Sequence, residues 1–455
     1  MRPSTGRKSS GVAARSGPCT AFGNEGSPLK RRAGTIGRPA RPPRHPAFRG
    51  MHQHVRHFVL VLFCFGRTVL AMTIVLDTTI RQERLRGRGA VSNAAGRYEK
   101  FSRVLLDDGW SNSNAAPGMP ATRKHLPPQE AFWEDDALPP LRTEVTLDAT
   151  RTIIARNQSP DISFDQSINP YRGCEHGCIY CFARPTHAYL GMSAGADFES
   201  RLLAKPDAAK LLAKELSAPG YVPRTIAIGT NTDPYQPVER TMHITRSILE
   251  VLRDFRHPVA IITKSPLILR DLDILSEMAE MGLAKAALSV TTLDRKLART
   301  MEPRAATPSR RIQAIRSLAE AGVPAGVMFA PAIPALNDHE MEAVLTAARE
   351  AGARSAGYVL LRLPLEIKDL FREWLEVNAP DRAKHVMSLV RSMRGGKDYD
   401  SNWNTRMKGT GPYAEMMARR FHIAVRRLGL NQPSKPLTLA KFRRPPQGGD
   451  QLALF

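Results

Sequence analysis

Three cysteines share one short loop of this chain, and their type and spacing suit a metal centre. Cys174, Cys178 and Cys181 form the pattern Cys-x3-Cys-x2-Cys, directly after a stretch typical of a β-strand. Thiolates are the usual ligands of iron–sulfur clusters. Because a cubane cluster has four irons, three cysteines leave one iron without a protein ligand. The loop therefore predicts a cluster with an open coordination position for a substrate or cofactor.

A structural zinc ion is the main alternative for this loop. The three cysteines with His176 or His187 would make a Cys3His set. Zinc sites of that type more often come as two separated ligand pairs, which this chain lacks. Three unrelated, inert thiols would rarely occur so close together by chance. Every motif match nevertheless carries a false-positive risk. The iron–sulfur interpretation is favoured.

The spacing of the three cysteines resembles the signature of the radical S-adenosylmethionine (SAM) superfamily. The resemblance implies that Cys174, Cys178 and Cys181 bind a [4Fe–4S] cluster and that SAM holds the open iron. Reduction by one electron would cleave SAM to methionine and a 5′-deoxyadenosyl radical, which abstracts hydrogen from the substrate. It also implies an electron donor such as flavodoxin or ferredoxin. In such enzymes the cofactor supplies the difficult chemistry, while the protein supplies orientation and excludes water.

Within that superfamily the chain resembles the branch of spore photoproduct lyase and the proteins called DNA repair photolyases. Tyr180, Asp233 and Lys264 fit that branch. The lyase has a hydrogen-donating cysteine near the end of its second strand, where this chain has the sequence Gly-Thr-Asn at 229–231. Phe182 also stands where a second tyrosine is expected. These departures favour a radical reaction other than cleavage of a thymine dimer.

From about residue 143 the sequence alternates between strand and helix patterns. The β-rich segments are Thr225–Gly229, Val259–Thr263, Ala286–Val290, Gly326–Ala330 and Tyr358–Leu363. The helical segments are Asp207–Leu216, Ile244–Phe255, Leu269–Met281, Ser309–Ala321 and Asp338–Ala351. With the strand before Cys174 they make six βα units, which predicts a parallel sheet covered by helices. We expect an α/β fold, a partial (β/α)6 TIM-type barrel, two units short of the complete barrel.

Functional groups in such a fold lie at the carboxyl ends of the strands. We predict that Tyr180 and Lys264 are catalytic. The predicted cofactor contacts are Thr230, Asn231, Asp233, Ser289, Thr291 and Arg304. In this prediction the residues at 289 and 291 hydrogen-bond the SAM ribose, and those at 230 or 231 its amino end. Lys264 and Arg304 pair with the SAM carboxylate or a substrate phosphate. The alternatives are that the strand-end residues only cap or form turns, and that Lys264 and Arg304 are solvated surface residues. For Tyr180, the alternative is that it only packs beneath the cluster.

The composition divides the chain into five segments. We predict a disordered basic extension over 1–83, an extended arm over 84–142 and the radical SAM core over 143–365. A helical C-terminal extension over 366–430 and a flexible tail over 431–455 follow. The Arg-Gly stretch at the start of the arm has the composition of a solvated linker, although it could contact phosphates.

Charge and cysteine content restrict the partners and the compartment. The formal net charge is +23, and residues 1–71 hold 13 of the 66 Lys and Arg but one of the 43 acidic residues. This balance is compatible with a nucleic-acid partner. Cys19 and Cys64 are the other two of the five cysteines, so the core has none for disulfides and a reducing cytoplasm is expected.

An apolar run at Phe58–Phe65 is too short to span a bilayer as a helix, so no membrane association is expected. A secretory leader does not normally follow more than fifty basic, polar residues. We favour a third interpretation, a translation start at Met51 or Met72.

The last five residues, Gln451–Phe455, resemble the peptide by which bacterial repair and replication proteins bind the DNA polymerase sliding clamp. A flexible tail would deliver two leucines and Phe455 to an apolar pocket, while Gln451 hydrogen-bonds at its rim. The alternative is that Leu454 and Phe455 fold back onto the barrel. Motifs of five residues are weakly specific.

Three functions remain open at this point. The leading one is a radical SAM enzyme acting on nucleic acid, in DNA repair or modification. The second is a radical SAM enzyme acting on a small molecule or a protein. The third is a metal-stabilised binding module without catalytic activity.

Overall fold

A computed structural model describes residues 56–65, 68–77, 87–99, 142–433 and 435–445. Apart from Arg56, these residues belong to one unit that spans 57–455. The strands are β1 (Arg56–Phe65), β2 (Thr68–Asp77), β3 (Glu144–Leu147), β4 (Ala155–Arg156), β5 (Gln166–Ile168), β6 (Tyr171–Arg172), β7 (Arg201–Ala204), β8 (Ile226–Ile228), β9 (Val259–Thr263), β10 (Ala284–Ser289), β11 (Ala325–Ala332) and β12 (Ser355–Leu360).

The helices alternate with the later strands. They are α1 (Ala196–Ser200), α2 (Ala208–Ser217), α3 (Glu239–Met242), α4 (Ile244–Asp254), α5 (Leu272–Glu280), α6 (Arg295–Met301), α7 (Pro308–Glu320), α8 (Met341–Glu350), α9 (Ile367–Asn378), α10 (Pro380–Ser392) and α11 (Gly411–Arg427). Two 3₁₀ helices, Arg184–Leu190 and Pro266–Asp271, matter for the site.

A seven-stranded sheet in the order β12-β11-β10-β9-β8-β5-β4 is the centre of the fold. Strands β5 and β8 to β12 are parallel to their neighbours, and β4 alone runs antiparallel to β5. The six parallel strands follow chain order across the sheet, and β4 and β12 are its edge strands. The predicted open barrel of six units is therefore confirmed.

Hydrophobic periodicity explains why these segments adopt their structures. In α4 the buried side chains recur at helical spacing, with Ile244, Ile248 and Leu252 on one face. In β9 burial alternates from Val259 to Thr263, as expected for a strand with two different faces. The predicted strands and helices agree with the observed ones to within a few residues, except that the helices predicted over Leu269–Met281 and Asp338–Ala351 each begin as a 3₁₀ helix.

A small second sheet supports the cysteine loop. Its order is β3-β7-β6, with β3 parallel and β6 antiparallel to β7. Strand β6 leads directly into the loop, so the sheet fixes the point at which the loop begins. Short strands such as β6 carry too few residues for a periodic pattern, and the sequence did not predict this sheet.

Helices α9 and α10 pack beside the cysteine loop rather than on the main core. Their buried residues, including Phe371 and Trp374, share a hydrophobic cluster with Ile179 and Tyr180 of the loop. The Trp374 indole donates to the Thr300 carbonyl at 3.0 Å. These helices lie in the predicted helical extension, and one wall of the site therefore comes from outside the barrel.

Two segments differ from the sequence expectations. Strands β1 and β2 pair in a two-stranded sheet, so the disorder predicted for 1–83 does not hold for residues 56–65 and 68–77. The apolar run Phe58–Phe65 lies in β1. Among the described residues, none of the helices combines the length and apolar character that crossing a membrane requires. Residues 446–455, with the predicted clamp-binding peptide, lie outside the described residues.

Candidate active site

The cysteine loop runs from β6 to the 3₁₀ helix Arg184–Leu190 at the carboxyl edge of the main sheet. Its backbone is tied at both sides, because the Cys174 amide donates to the Phe198 carbonyl at 2.9 Å and the Ile179 amide to the Met301 carbonyl at 3.0 Å. Cys174 and Cys178 are buried, whereas Cys181 is partly exposed. The loop is thus a fixed structure in which one of the three cysteines is partly exposed.

The three thiols lie close enough to influence one another electrostatically. Burial raises the pKa of the Cys174 thiol well above its usual value, and the charges of Asp233, Cys178 and Cys181 raise it further. Burial likewise raises the pKa of Cys178 to about 12, although the nearby Lys264 ammonium opposes this effect. The Lys264 cation beside Cys178 favours the thiolate form that a metal centre needs.

The donor set fits an iron–sulfur cluster better than a single metal ion. Within the described ranges, no three or more His, Cys, Asp or Glu side chains are arranged around one ion. A [4Fe–4S] cluster takes one thiolate at each of three irons, so its ligands are more widely spaced than those of a single ion. The three cysteines share one fixed loop, and His176 is paired with Asp233, 3.3 Å from its Nδ1.

A buried arginine, Arg184, hydrogen-bonds to the backbone of the cysteine loop. Arg184 donates to the carbonyls of Cys178 at 2.9 Å and Gly177 at 3.1 Å, and it forms an ion pair with Glu199. Both side chains of the pair are fully buried. Buried charges are tolerated only when they are paired and hydrogen-bonded. The pair therefore fixes the backbone that carries Cys178.

The arm docks onto the same carboxylate. The amides of Gly89 and Ala90 donate to the two oxygens of Glu199 at 2.9 and 2.8 Å. Arg88 is buried and donates to the Glu199 carbonyl at 2.5 Å. The solvated-linker prediction is therefore wrong for Arg88 and Gly89, which are buried. Arginine and glycine had a packing role here that composition alone could not reveal.

Tyr180 and Lys264, the two predicted catalytic residues, lie together beside Cys178. The Lys264 Nζ is 5.7 Å from the centroid of the Tyr180 ring. The Tyr180 hydroxyl donates to Glu302 and lies 3.2 Å from the Thr291 hydroxyl. Three polar side chains, those of Lys264, Thr291 and Glu302, therefore lie around one phenol.

Glu302 is the centre of this group and was not predicted. Burial alone would raise the pKa of its carboxyl, but Arg311 and Lys264, with hydrogen bonds from Arg311 and Thr291, lower that pKa to about 2. Arg311 is buried and also donates to the Ser289 carbonyl at 3.0 Å. No sequence pattern marks an ion pair between residues nine apart on two elements.

Asp233 connects neighbouring strand ends. Its carboxylate accepts from the Thr263 hydroxyl at 2.6 Å and the Lys264 amide at 2.7 Å. Burial would raise the pKa of Asp233, but the charge and hydrogen bond of His176, with these donors, lower it to about 2. Because protein donors already occupy both oxygens, Asp233 positions Lys264 and the loop rather than offering a free acceptor.

Thr230 and Asn231 lie on the loop after β8. Asn169 holds this loop: its amide nitrogen donates to the Thr230 hydroxyl at 3.2 Å, and its oxygen accepts from the Asn231 amide at 2.9 Å. Gly229 precedes them with a φ of 90°, and a Cβ there would overlap the Ile262 carbonyl oxygen. Asn231 is exposed at the carboxyl edge of the sheet.

Ser289 and Thr291 are buried at the end of β10. Thr291 faces Tyr180 and Glu302, as described, whereas Arg304 lies apart from this group. The Arg304 guanidinium pairs with Glu175 at 3.0 Å. It also lines a cavity of about 230 Å³ with His176, Arg240 and Ser265. The structure thus brings Tyr180, Lys264 and Thr291 together and places Arg304 on a neighbouring basic cavity.

An open α/β barrel with three thiols of one loop at the carboxyl edge of its parallel strands defines a cluster-dependent class of enzyme. Residues 168–348 match the family model described as the radical SAM superfamily. An uncharacterized protein of Mycobacterium tuberculosis is 35% identical over 242 residues, which cover 52% of this chain and 71% of that protein. An uncharacterized protein of Methanocaldococcus jannaschii is 27% identical over 214 residues, covering 47% and 76% of the two chains.

The chain belongs to the radical SAM superfamily, and it is a radical SAM enzyme. Members of this family bind SAM and a [4Fe–4S] cluster. Among solved structures, spore photoproduct lyase complexed with a dinucleoside spore photoproduct is similar, with a TM-score of 0.45 and 15% identity. The similarity covers 63% of this chain and 80% of the lyase.

Proposed function

We propose that this enzyme binds a [4Fe–4S] cluster through Cys174, Cys178 and Cys181 and uses it with SAM in a radical reaction on nucleic acid. The observation that carries the proposal is the meeting of three neighbouring thiols with Tyr180 and Lys264 at one edge of the sheet. When bound, the reduced cluster and SAM supply a 5′-deoxyadenosyl radical that abstracts a hydrogen atom from the substrate.

The protein residues around this group have separate tasks. Lys264 supplies a positive charge beside Cys178, which stabilises the thiolate and offers a partner for the SAM carboxylate. Ser289 and the exposed Asn231 lie at strand ends, where their side chains can contact the SAM ribose and amino group. Tyr180 presents its ring to Lys264 and its hydroxyl to Glu302, which holds the phenol in one orientation toward the reacting groups.

Helices α9 and α10 shield the loop from water on one side. Their side chains cover Ile179 and Tyr180, so the reactive species would be generated against an apolar wall. Exclusion of water protects radical intermediates from side reactions and strengthens the electrostatic effect of Lys264 and Glu302. Asp233 and Arg311 keep those two groups in place.

Positive charge beside the site supports a nucleic-acid substrate. The chain has a formal net charge of +23. Two arginines, Arg240 and Arg304, line the cavity next to His176. Phosphate contacts by arginine and lysine dominate nucleic-acid affinity, so a basic surface adjoining the reaction site is the arrangement such a substrate requires.

Anaerobic reconstitution tests the enzymatic part of the proposal. The full chain would be incubated with iron and sulfide, then with reductant and SAM, and 5′-deoxyadenosine would be measured. We expect release by the parent chain and its loss in Cys178→Ala, with Cys64→Ala as the matched control that keeps release. A colourless protein that retains only zinc would overturn the proposal.

Oligonucleotide binding tests the substrate class. We expect the reconstituted chain to bind DNA or RNA at low salt and to lose affinity steeply as the salt concentration rises. Absence of binding to both nucleic acids at low salt would remove the nucleic-acid part and leave the radical SAM assignment intact.

A further inference from the structure

Arg362 lies where the C-terminal extension meets the cysteine loop. It follows β12 by two residues, at the carboxyl edge of the sheet. Its guanidinium carbon is 4.7 Å from the centroid of the Phe182 ring. Phe182 comes directly after Cys181, so this arginine stands beside the partly exposed end of the cysteine loop.

The contacts of Arg362 are weak for a guanidinium. Its terminal nitrogens lie 3.7 Å from the Met407 sulfur and 3.4 Å from the Tyr399 hydroxyl. Its Nε is buried and has no hydrogen-bond partner. Within the residues that the structure describes, no carboxylate forms an ion pair with it. Arg362 therefore keeps unsatisfied donors at the edge of the site.

Two fully buried arginines near the cysteine loop have carboxylate partners. Arg184 pairs with Glu199 and Arg311 pairs with Glu302. The acidic side chain near Arg362, Asp161, is held by Arg406 and by the Asn404 amide at 2.5 Å. A half-buried cation whose neighbouring carboxylate is already taken is stabilised when an anion binds to it.

An exposed aromatic ring accompanies this cation. Phe182 is 40% exposed although it adjoins a buried loop. Trp403, on the loop that carries Tyr399 and Met407, is 58% exposed. Exposed aromatic rings beside arginine are the usual means by which proteins hold unpaired nucleotides, through base stacking and phosphate contacts.

We propose that Arg362 and Phe182 form a substrate subsite, in which Arg362 binds a backbone phosphate and Phe182 stacks on a base of an unpaired nucleotide. The subsite places that nucleotide beside Cys181, next to the cluster position. Tyr399 and Met407 of the C-terminal extension orient the guanidinium. This inference rests on the proposed function, because it assumes a nucleic-acid substrate.

The test uses the reconstituted full chain and a fluorescent single-stranded oligodeoxynucleotide, with anisotropy measured over a range of salt concentrations. In Arg362→Gln we expect affinity to fall about tenfold and the slope of log K against log salt to decrease by about 0.7, the loss of one phosphate contact. Phe182→Leu should lower affinity about fivefold and leave the salt slope unchanged, since only stacking is lost. Arg253→Gln removes one charge at the opposite edge of the sheet and should change affinity less than about twofold.

The outcomes separate this subsite from the proposed function. If the parent chain does not bind the oligonucleotide at low salt, the nucleic-acid function fails and the subsite fails with it. If the parent binds and Arg362→Gln binds equally well with the same salt slope, only the subsite is overturned. Because the SAM carboxylate is another oxyanion, SAM affinity is measured by calorimetry in the same variants. Loss of SAM binding with oligonucleotide binding unchanged would assign Arg362 to the cofactor and overturn the subsite.

Discussion

Gly89 of the arm lies against the backbone of Gly177 in the cysteine loop. A Cβ atom on Gly89 would overlap the Gly177 carbonyl oxygen, and a Cβ on Gly177 would overlap the Glu199 carboxylate. Both glycines therefore allow the arm, the loop and the buried carboxylate to meet without an intervening side chain.

Replacing Gly89 with alanine should loosen this contact. The added methyl group meets backbone atoms that cannot move aside, and such overpacking costs about 1–3 kcal/mol. We expect the free energy of unfolding of Gly89→Ala to fall by that amount and the reconstituted protein to hold iron less firmly. Urea unfolding and iron retention against a chelator would measure the two effects.

Gly87→Asn is the matched control, because Gly87 has open space around it and a φ of 70° that asparagine tolerates. It should unfold and retain iron as the parent chain does. Equal behaviour of Gly89→Ala and the parent would contradict the docking of the arm on the loop.

Glu199→Gln should destabilise the protein more strongly. The substitution leaves the buried Arg184 charge without a counter-ion, and removing one partner of a buried pair costs about 3–5 kcal/mol. Chemical denaturation of the apoprotein would measure the loss. Asp254→Asn breaks the exposed pair with Arg253 and should cost less than about 1 kcal/mol. Similar losses in both variants would show that the buried pair has no special role.

His257 makes stability depend on pH. Burial lowers the pKa of this histidine from 6.5 to about 4, although its hydrogen bond to the Pro258 carbonyl opposes the shift. Because the folded-state pKa is depressed, the unfolded chain binds the proton more readily. The neutral, buried His257 therefore contributes fully to the free energy of unfolding above pH 6.5. This contribution is lost as pH falls toward about 4, by roughly 3 kcal/mol in total.

Urea unfolding of the apoprotein between pH 4 and pH 7 would measure this dependence. In His257→Asn, which keeps a donor near Nδ1 but does not titrate, we expect a correspondingly flatter profile. Tyr221→Phe removes the hydroxyl that contacts the His257 Nε2 at 2.8 Å and retains the titrating ring, so its profile should keep the slope. A parent profile identical to that of His257→Asn would refute the assignment.

The C-terminal peptide remains a prediction from sequence. A labelled peptide of residues 446–455 should bind a bacterial sliding clamp, because Leu452, Leu454 and Phe455 present apolar groups and Gln451 an amide. Replacing Leu454 and Phe455 with alanine should abolish binding in a pull-down with the full chain. A pull-down that is unchanged after deletion of residues 451–455 would end this hypothesis.

The barrel could be predicted from sequence because its strands and helices carry strong periodic patterns. Strand β9 and helix α4 are examples in which burial follows the period of the element. The cysteine loop was predictable for another reason, since three thiols at short spacing constrain one another. Lys264 and Thr291 followed from the general rule that parallel strands present their functional groups at one edge, whereas Tyr180 came from the family resemblance of the cysteine loop.

The supporting residues could not be predicted in the same way. Glu199 contacts Arg184 and the amides of Gly89 and Ala90. The two arm residues are more than a hundred positions away from Glu199 in the sequence. Glu302 meets Arg311 only because α6 and α7 fold back on the end of β10. Such pairs have no local sequence pattern. In the sequence, a glutamate and an arginine look like ordinary surface residues, and only the fold shows that they are buried together.

The contribution of both flanking segments to the loop limits how far this enzyme can be shortened. A fragment of residues 143–365 would retain every strand of the barrel and all three thiols. It would nevertheless leave the Glu199 carboxylate without the arm amides, and it would expose Ile179 and Tyr180 where α9 and α10 now cover them. We therefore expect the minimal catalytic unit to be larger than the barrel and to begin no later than Arg88.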